Sequence, residues 1–296
     1  MKWGAVIVPG PDDDEREAWN NLGDDVVIDG FEVDGSEPQG GTPWLYGVLT
    51  SGSDSEVRNV KVHDIARDSE AWYAANSGGQ GGAGIMADGF NGDTDITIAD
   101  SFVYDIGPDG EDSTLVHGIY IGTSGRVLNN TVHDVVGDGI SSWHDATDLT
   151  ITGNIIDAVR GAGILIGAGN HHQGGGPNDN SEVSGNTITD SLKGIEESGD
   201  TGGNNTYRGN TLNGNGTDWS LRTGTRAAMA SEPDDGMLNP FGSPAPLDAE
   251  LPQEGAMPTA VAGANLGVPV HSFDAVSLLT GSDQQDYDLT GGFFLR

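Results

Sequence analysis

A solenoid of stacked β-strands is the fold class that this sequence predicts, and two repeating phrases predict it. The first is a Gly-Ile or Gly-Val step, found at Gly47-Val48, Gly84-Ile85, Gly118-Ile119, Gly139-Ile140, Gly163-Ile164 and Gly194-Ile195. The second is an Asn that opens a short apolar segment, found at Asn130, Asn154, Asn186 and Asn210. The Asn positions lie 24, 32 and 24 residues apart. A period in this range, carried by short β-type segments, indicates a coil repeat.

Short segments rich in Val, Ile and Thr supply the predicted strands, and they begin at Val26. Their apolar side chains alternate, as in half-buried strands. They are the segments 26–33, 56–62, 95–98, 126–128, 149–151 and 182–183. Between Val26 and Leu221, no segment has apolar residues at i, i+3, i+4 and i+7 over three turns, which excludes solenoids that alternate strands with helices. Each strand is therefore expected to stack on its equivalent one coil away, at about 4.8 Å per coil.

The repeated positions also predict a role for each residue type. The apolar residue after each repeated Gly is expected to stack in an internal column. The Gly itself is expected to supply unusual backbone dihedral angles at a sharp turn. The Asn residues are expected to form a hydrogen-bonded ladder through four coils. His63-Asp64 and His133-Asp134 recur at one turn position, which favours a turn-forming role for both pairs.

The repeat divides the chain into three parts, residues 1–25, 26–221 and 222–296. The first part contains an acidic, helix-compatible stretch, 11–19, which is expected either to cap the open end of the solenoid or to be an unordered leader. The last part is rich in Pro and Gly and predicts an irregular tail, with one short strand at 285–289.

The charge is strongly one-sided, with 46 Asp and Glu residues against 12 Lys and Arg and a formal net charge of −34. The carboxylates are mostly Asp and only three residues are Lys, a composition that resembles proteins of extreme halophiles. An acidic secreted protein is the alternative. Such a field repels nucleic acid and destabilises a compact fold unless salt screens it. Nucleic acid is therefore not an expected partner.

The sequence also lacks the features of several other classes of protein. It has no Cys, so it has neither disulfides nor a thiolate metal site. It has no apolar run of the length that spans a membrane, so no membrane partner is expected. Its first residues lack the apolar segment of a signal peptide.

The phrases His117-Gly118-Ile119-Tyr120 and Tyr207-Arg208-Gly209-Asn210-Thr211 resemble the repeats of the pectate-lyase-like superfamily. This resemblance extends over residues 26–221 and implies an all-β, right-handed parallel β-helix of about seven coils. It further implies a polysaccharide partner, a monomer and an extracellular or cell-surface location. Lyases, hydrolases, epimerases and non-catalytic spikes share the fold, so the fold alone does not identify a reaction.

Departures from the repeat predict a functional surface on neighbouring coils. Eight residues either interrupt the consensus around the Gly-Ile steps or lie in an eight-residue insertion. Stacking of the coils is expected to place them on one side of the solenoid. They are His117, Tyr120, Trp143, His144, Asp145, His171, His172 and Glu197. Insertions on a rigid scaffold are common places for a site.

Removal of the proton α to a uronate carboxyl is the chemistry that this surface favours. The reaction needs a general base, a proton donor for the leaving oxygen and a cation that neutralises the carboxylate. His117 or His144 is the expected base, and Tyr120 is the expected donor. Arg126, Arg160 or a bound Ca²⁺ is the expected cation, and no other cofactor is expected.

Other residues of this surface are expected to contact the substrate or to support a different reaction. Trp143 suits stacking on a sugar ring, with His171 and His172 as further substrate contacts. Hydrolysis instead needs two carboxylates, for which Asp138, Asp145, Glu196 and Glu197 are candidates. A lyase acting on an acidic polysaccharide is favoured over a hydrolase, an epimerase or a non-catalytic binding or structural solenoid. A chain this acidic repels a polyanion unless salt or Ca²⁺ intervenes.

Overall fold

The computed structural model describes residues 3–10, 15–36, 43–68, 81–108 and 113–222. The backbone of these residues forms 23 β-strands joined by turns, without a helix. Within this part of the chain there is accordingly no helix with the length and apolarity that a membrane crossing requires.

The strands form three parallel sheets, and each coil of the chain contributes one strand to each sheet. Sheet A contains β1 (Val6–Ile7), β4 (Glu32–Asp34), β7 (Lys61–Ile65), β10 (Phe102–Ile106), β13 (Thr131–Val135), β16 (Ile155–Val159), β19 (Thr187–Thr189) and β22 (Thr211–Asn213). Sheet B contains β2 (Glu17–Asn21), β5 (Tyr46–Thr50), β8 (Gly82–Ala87), β11 (Val116–Ile121), β14 (Asp138–Ser142), β17 (Ala162–Ala168), β20 (Lys193–Gly199) and β23 (Thr217–Ser220). Sheet C contains β3 (Val27–Asp29), β6 (Glu56–Arg58), β9 (Ile96–Ala99), β12 (Gly125–Leu128), β15 (Leu149–Thr152), β18 (Glu182–Ser184) and β21 (Thr206–Arg208).

Each strand pairs with the strands three positions before and after it, so that β11, for example, lies between β8 and β14. This arrangement is a right-handed parallel β-helix, which confirms the predicted fold class. Seven coils contribute a strand to every sheet, and an eighth contributes β22 and β23. The coils are numbered from the N-terminus and each begins with its strand in sheet A, so coil 4 spans residues 102–128.

The solenoid begins earlier than the sequence predicted. Strands β1 and β2 lie before residue 26 and form the first members of sheets A and B. Residues 17–19, expected in a helix-compatible cap, are extended because pairing with β5 satisfies their backbone groups. The acidic residues 11–14 and the predicted tail from residue 223 onward lie outside the described residues.

The predicted internal column is confirmed. The apolar residues of the Gly-Ile steps pair with one another in register along sheet B, and all are fully buried. They are Val48, Ile85, Ile119, Ile140, Ile164 and Ile195. Stacking identical apolar side chains one coil apart builds a continuous core from a repeat that could not bury its own apolar face.

The reason predicted for the repeated glycines is wrong. None of them has a positive φ. Space is the actual requirement: a Cβ on Gly118 would lie 2.4 Å from Val132 Cγ1 and 2.7 Å from the Gly139 oxygen. The equivalent glycines meet the same two obstacles, a side chain of sheet A and the carbonyl of the next coil. Glycine therefore allows sheets A and B to approach closely beside the internal column.

The predicted Asn ladder is confirmed. Each Asn Nδ2 donates to the Oδ1 of the Asn one coil further, from Asn130 to Asn154 (3.0 Å), on to Asn186 (2.9 Å) and on to Asn210 (2.9 Å). The same Oδ1 atoms accept the backbone N–H groups of the preceding Asn residues. Ser101 continues the ladder towards the N-terminus by donating its N–H to Asn130 Oδ1. The ladder satisfies backbone groups that the turn between sheets C and A leaves buried.

Apart from glycine, most residues with a positive φ are Asp or Asn. Near the ends of β7, β10 and β13 in sheet A, just before the turns to sheet B, Asp64, Asp105 and Asp134 have φ angles of 57°, 51° and 53°. Asp tolerates this region better than most side chains because it hydrogen-bonds locally. Part of the unusual Asp content therefore reflects turn geometry, and the turn-forming role predicted for the His-Asp pairs has a physical basis.

Candidate functional site

The predicted surface lies on the outer face of sheet B, where the turns to sheet C differ in length. In coil 4 that turn has only three residues, 122–124. The corresponding turns of coil 3 and coil 6 are longer and span residues 88–95 and 169–181. The short turn directly follows β11, the strand that carries His117 and Tyr120. The turns of the coils on either side of it are longer.

His117 and Tyr120 belong to β11 and lie outside the main core, since Tyr120 packs in a separate cluster with Met86 and Trp143 and the His117 ring contacts that of Tyr120. Their ring centroids are 5.1 Å apart. Both are nonetheless buried, with His117 4% and Tyr120 3% exposed. The prediction placed both on the outer face, and the structure also gives each of them a water-poor surrounding.

His144 continues this row of rings on the next coil. Its ring lies 6.1 Å from that of Tyr120 and 4.1 Å from that of His172. His144 adopts a positive φ of 53° and its Nδ1 lies 3.1 Å from the Asn170 carbonyl oxygen. A carbonyl only accepts, so Nδ1 carries the proton and Nε2 is the basic nitrogen. Four aromatic rings thus follow one another along coils 4 to 6.

Asp145 fixes the loop that carries His171 and His172. Its Oδ2 accepts the backbone N–H groups of His172 (2.8 Å) and Gln173 (3.0 Å), and its Oδ1 accepts that of Gly175 (3.0 Å). Burial raises the pKa of Asp145, but these three bonds outweigh burial and the net pKa is lowered. Asp145 is therefore an ionised anchor whose oxygens already hold the loop.

The two long loops meet above the short turn. The Phe90 and His172 rings contact edge to face at 4.9 Å, and the Gln173 side chain donates a hydrogen bond to the Phe90 carbonyl. These contacts join coil 3 to coil 6 across the two coils between them.

Asp88 is a site residue that the sequence reasoning missed. It is 6% exposed, and its Oδ1 accepts the Phe90 N–H at 2.9 Å. Burial raises its pKa to about 6, with Asp93 and Asp145 adding to the shift and the Phe90 bond opposing it. Its place in the coil was the available signal, because it directly follows β8 just as Trp143 directly follows β14.

The environment also keeps two further groups neutral. Burial, together with the charges of Asp88 and Asp145, raises the pKa of Tyr120 well above its usual range. Burial and the neighbouring His144 lower the pKa of His172 to about 4. Tyr120 therefore retains its proton, which suits a donor, and His172 is uncharged near neutral pH. Shifted titratable groups that gather in one place are a common mark of a functional site.

Four buried nitrogens on this surface have no hydrogen-bond partner. They are His117 Nδ1, Trp143 Nε1, His171 Nδ1 and His172 Nδ1. His171 Nδ1 lies 3.3 Å from Asp145 Oδ1, but the two groups are not aligned as a hydrogen bond. Buried polar atoms are usually satisfied by protein, water or a ligand. The surface therefore has unused capacity to bind polar groups.

Residues 49–230 match the family described as periplasmic copper-binding protein (NosD). The chain belongs to the NosD family. No curated protein matches it significantly. Among solved structures, it is similar to the A-module of the mannuronan C-5 epimerase AlgE6 of Azotobacter vinelandii, with 18% identity and a TM-score of 0.46. The match covers 70% of this chain and 54% of that module, so the chain spans about half of the module's length.

Trp143 of this NosD-family chain packs over a row of glycines. A Cβ on Gly167, Gly169 or Gly199 would lie 2.8, 3.0 or 2.4 Å from an indole carbon. The indole therefore lies against the backbone of coils 6 and 7. The sugar-stacking role predicted for Trp143 is not tested by this packing, although one face of its ring is occupied.

Three predicted site residues lie elsewhere. Glu197 points into the solenoid, where it accepts hydrogen bonds from the Tyr207 hydroxyl (2.8 Å) and the Arg222 backbone N–H (2.9 Å). Arg126 lies on sheet C and donates to Thr97 Oγ1 at 3.1 Å. Arg160 lies in the turn between β16 and β17, where its N–H donates to the Val135 carbonyl. The structure does not bring these residues together with the histidines.

The histidines of sheet B offer suitable donor atoms for copper, since imidazole nitrogen is a good ligand for it. The Nδ1 atoms of His171 and His172 are buried and have no hydrogen-bond partner. They are not preassembled, however. In the described part of the chain, the one group of three His, Asp or Glu donors within 4.8 Å of one another is Asp34, His63 and Asp64, on the other side of the A–B corner.

Proposed function

We propose that this protein acts on an acidic polysaccharide by removing the proton α to a uronate carboxyl, with β-elimination as the outcome. The observation that carries the proposal is the position of Tyr120. It lies between the rings of His117 and His144 beside the short turn of coil 4, and its hydroxyl keeps its proton. A proton donor next to an imidazole that can act as a base is the pair that this elimination needs.

In the proposed mechanism, His144 Nε2 takes the proton from C5 of the uronate. The C5–H electrons form the C4–C5 double bond, and the C4–O bond to the leaving sugar breaks. The Tyr120 hydroxyl gives its proton to the leaving oxygen. The imidazolium of His144 then returns a proton to the Tyr120 phenolate, which restores both groups. The Asn170 carbonyl orients the base throughout by holding its Nδ1 proton.

The uronate carboxylate needs a positive or proton-donating partner, and neither Arg126 nor Arg160 lies on this surface. Asp88 supplies one when it is protonated, because a carboxylic acid can donate a hydrogen bond to the substrate carboxylate. Since Asp145 is ionised nearby, we also expect salt or Ca²⁺ to promote binding of the polyanion.

The compartment follows from the same proposal. The family carries the description periplasmic, and a polysaccharide partner is found outside the cytoplasm. We infer that the protein works as a monomer on the extracytoplasmic side of the cell.

Absorbance near 235 nm tests the reaction, because elimination leaves an unsaturated uronate. The full chain is mixed with a panel of uronate polysaccharides in molar NaCl, with and without Ca²⁺. We expect a rise that falls about 10²- to 10⁴-fold in Tyr120→Phe and His144→Gln, the usual contribution of an acid or base. Tyr104→Phe and His133→Gln on sheet A are the matched controls and should retain the activity.

The other outcomes separate the alternatives. Deuterium uptake at C5 from heavy water without absorbance would indicate an epimerase. New reducing ends without absorbance, lost in Asp88→Asn or Asp145→Asn, would indicate a hydrolase. If none of the three measurements shows a reaction while the polysaccharide still binds, the protein is a binding or structural solenoid and the proposal is overturned.

Copper binding is a second candidate, favoured by the unpaired Nδ1 atoms of His171 and His172 and by the 4.1 Å between the rings of His144 and His172. A bound copper ion would take these imidazoles as ligands after a small movement of the loop. Calorimetric titration with Cu²⁺ tests this. The double change His171→Ala and His172→Ala should remove one equivalent, whereas an unchanged stoichiometry would exclude this loop.

A further inference from the structure

A second group of functional side chains lies on the outer face of sheet A, between coils 2 and 3. His63 on β7 is its centre and is 7% exposed. Asp34 on β4 pairs with it in register from the coil before, and Asp64 follows it in the chain. The reaction proposed for sheet B uses none of these residues.

The three donor atoms are close enough to share one ion. His63 Nδ1 lies 2.8 Å from Asp64 Oδ2 and 3.8 Å from Asp34 Oδ1. Ligands bonded to one metal ion at about 2.1 Å are roughly 3.0 to 3.4 Å apart. The two observed separations bracket that range. All three donor atoms lie within 4.8 Å of one another, so modest side-chain adjustments would bring them to bonding distance of one ion.

A further contact prepares His63 as a ligand. Its Nε2 lies 3.0 Å from Glu32 Oε1, which Lys61 also contacts at 2.8 Å. Metal-binding histidines almost always donate their second N–H to such a carboxylate, which fixes the tautomer. Nδ1 is hydrogen-bonded to Asp64 Oδ2, so a bound ion would take the place of the Nδ1 proton, with Nδ1, Asp64 and Asp34 around it. Tyr104 stacks on the imidazole at 4.8 Å and 9° and holds its plane.

We propose that Asp34, His63 and Asp64 bind one divalent transition-metal ion of the Zn²⁺ or Cu²⁺ class. One imidazole and two carboxylates suit such ions, whereas Ca²⁺ and Mg²⁺ prefer oxygen ligands throughout. The ion joins coil 2 to coil 3 and so strengthens the N-terminal end of the solenoid. The family match begins at residue 49, so Asp34 lies outside it. The site is independent of the reaction proposed for sheet B.

The chain contains its own control for this site. His133 and Asp134 repeat the His-Asp turn two coils further, with an Nδ1–Oδ2 distance of 2.6 Å and the same positive φ at the Asp. The neighbour of His133 on the coil before is Tyr104, where His63 has Asp34. The nearest carboxylate on the coil after, Asp157, instead accepts a hydrogen bond from Thr189. A His-Asp pair without the third donor is thus available for comparison.

Calorimetric titration of the chelator-treated full chain with Zn²⁺ and Cu²⁺ tests the site. The background carries His171→Ala and His172→Ala, so that the loop on sheet B does not contribute. We expect one equivalent to bind, and Asp34→Asn and His63→Gln each to remove it. Glu32→Gln should weaken it about 10- to 100-fold, as loss of such a supporting carboxylate commonly does. His133→Gln should leave it unchanged.

Electron paramagnetic resonance of the Cu²⁺ form gives a readout independent of stability and should show coupling to a single imidazole nitrogen. Asp34→Asn has nearly the same shape as the native residue, and its circular dichroism should report an intact fold. Retention of the equivalent in Asp34→Asn would overturn the proposal. So would the absence of any bound ion in the background protein, which would leave the cluster as an ion pair. Neither result would bear on the elimination assay.

Discussion

At the scale of single residues, Asp88 makes the most definite prediction. Its folded pKa of about 6 exceeds the usual Asp pKa of 3.8, so between these values the native state binds more protons than the unfolded chain. The free energy of unfolding must therefore fall as the pH rises through this interval. A shift of about two pKa units lowers the free energy of unfolding by about 3 kcal/mol at most across this interval.

Asp88→Asn removes this penalty while keeping an oxygen for the Phe90 N–H. We expect the variant to exceed the wild type in stability by up to about 3 kcal/mol at pH 8 and to differ little at pH 4. Urea denaturation at both values and constant salt measures the difference. An equal offset at both pH values would show that Asp88 does not titrate with the raised pKa.

His172 gives a second prediction at this scale. Because burial and His144 lower its pKa to about 4, its ring should stay neutral through the range where most histidines gain a proton. The imidazole Cε1–H signal in a proton–carbon NMR titration reports this directly. His172→Gln identifies the signal. A midpoint near 6.5 would mean that burial and the His144 contact do not impose the neutral state.

At the scale of elements, the Asn ladder is the feature whose removal we expect to cost most. Asn154 is fully buried, donates to Asn186 Oδ1 and the Val127 carbonyl, and accepts from two groups of Asn130. Asn154→Ala leaves several of these partners unsatisfied, at about 1 to 3 kcal/mol for each buried group. We expect a loss of about 3 kcal/mol or more, measured by urea denaturation.

Asn213→Ala is the matched control, because Asn213 lies on the exposed face of β22. It should change the free energy of unfolding by about 0.5 kcal/mol or less. Similar losses in the two variants would show that the ladder contributes little beyond an ordinary surface Asn.

The elements also show which parts of the fold the sequence predicts. The ladder and the internal column were predictable because, in a solenoid, a residue's spatial neighbour is its equivalent one repeat away. The role of the repeated glycines was not, because the obstacle to a Cβ on Gly118 is Val132, a residue of another sheet. A repeat reveals what stacks along the axis, but it does not reveal what packs across it.

The same distinction separates the site residues. The rings of His117, Tyr120 and His144 lie near one another, as predicted from their places on successive coils, whereas their role as a site stays a prediction. Arg126 was misplaced because it lies on sheet C. Assigning a residue to one of the three sheets requires knowing where each coil turns. Glu197 lies two residues after the inward-pointing Ile195, so strand alternation sends it inward as well. Asp88 gains its importance from burial, which no local sequence pattern reports.

At the scale of the whole molecule, the charge of −34 should make stability depend on salt. Acidic turn residues repeat along the solenoid, where successive coils are about 4.8 Å apart. The Debye length is about 10 Å at 0.1 M salt and roughly 3 Å at 1 M, so only molar salt screens neighbouring coils from each other. Folding gathers these charges more closely than the unfolded chain does, so salt should favour the folded state.

We expect the urea midpoint to rise between 0.1 M and 2 M NaCl. A variant with Asn at Asp25, Asp54, Asp95 and Asp148 is the matched control, because all four have positive φ angles that Asn also tolerates. It removes four charges from one row of turns without changing their backbone, and its midpoint should rise less. An equal rise in both proteins would assign the effect to the action of salt on apolar burial. A midpoint that does not rise would show that the acidic surface is not a source of instability.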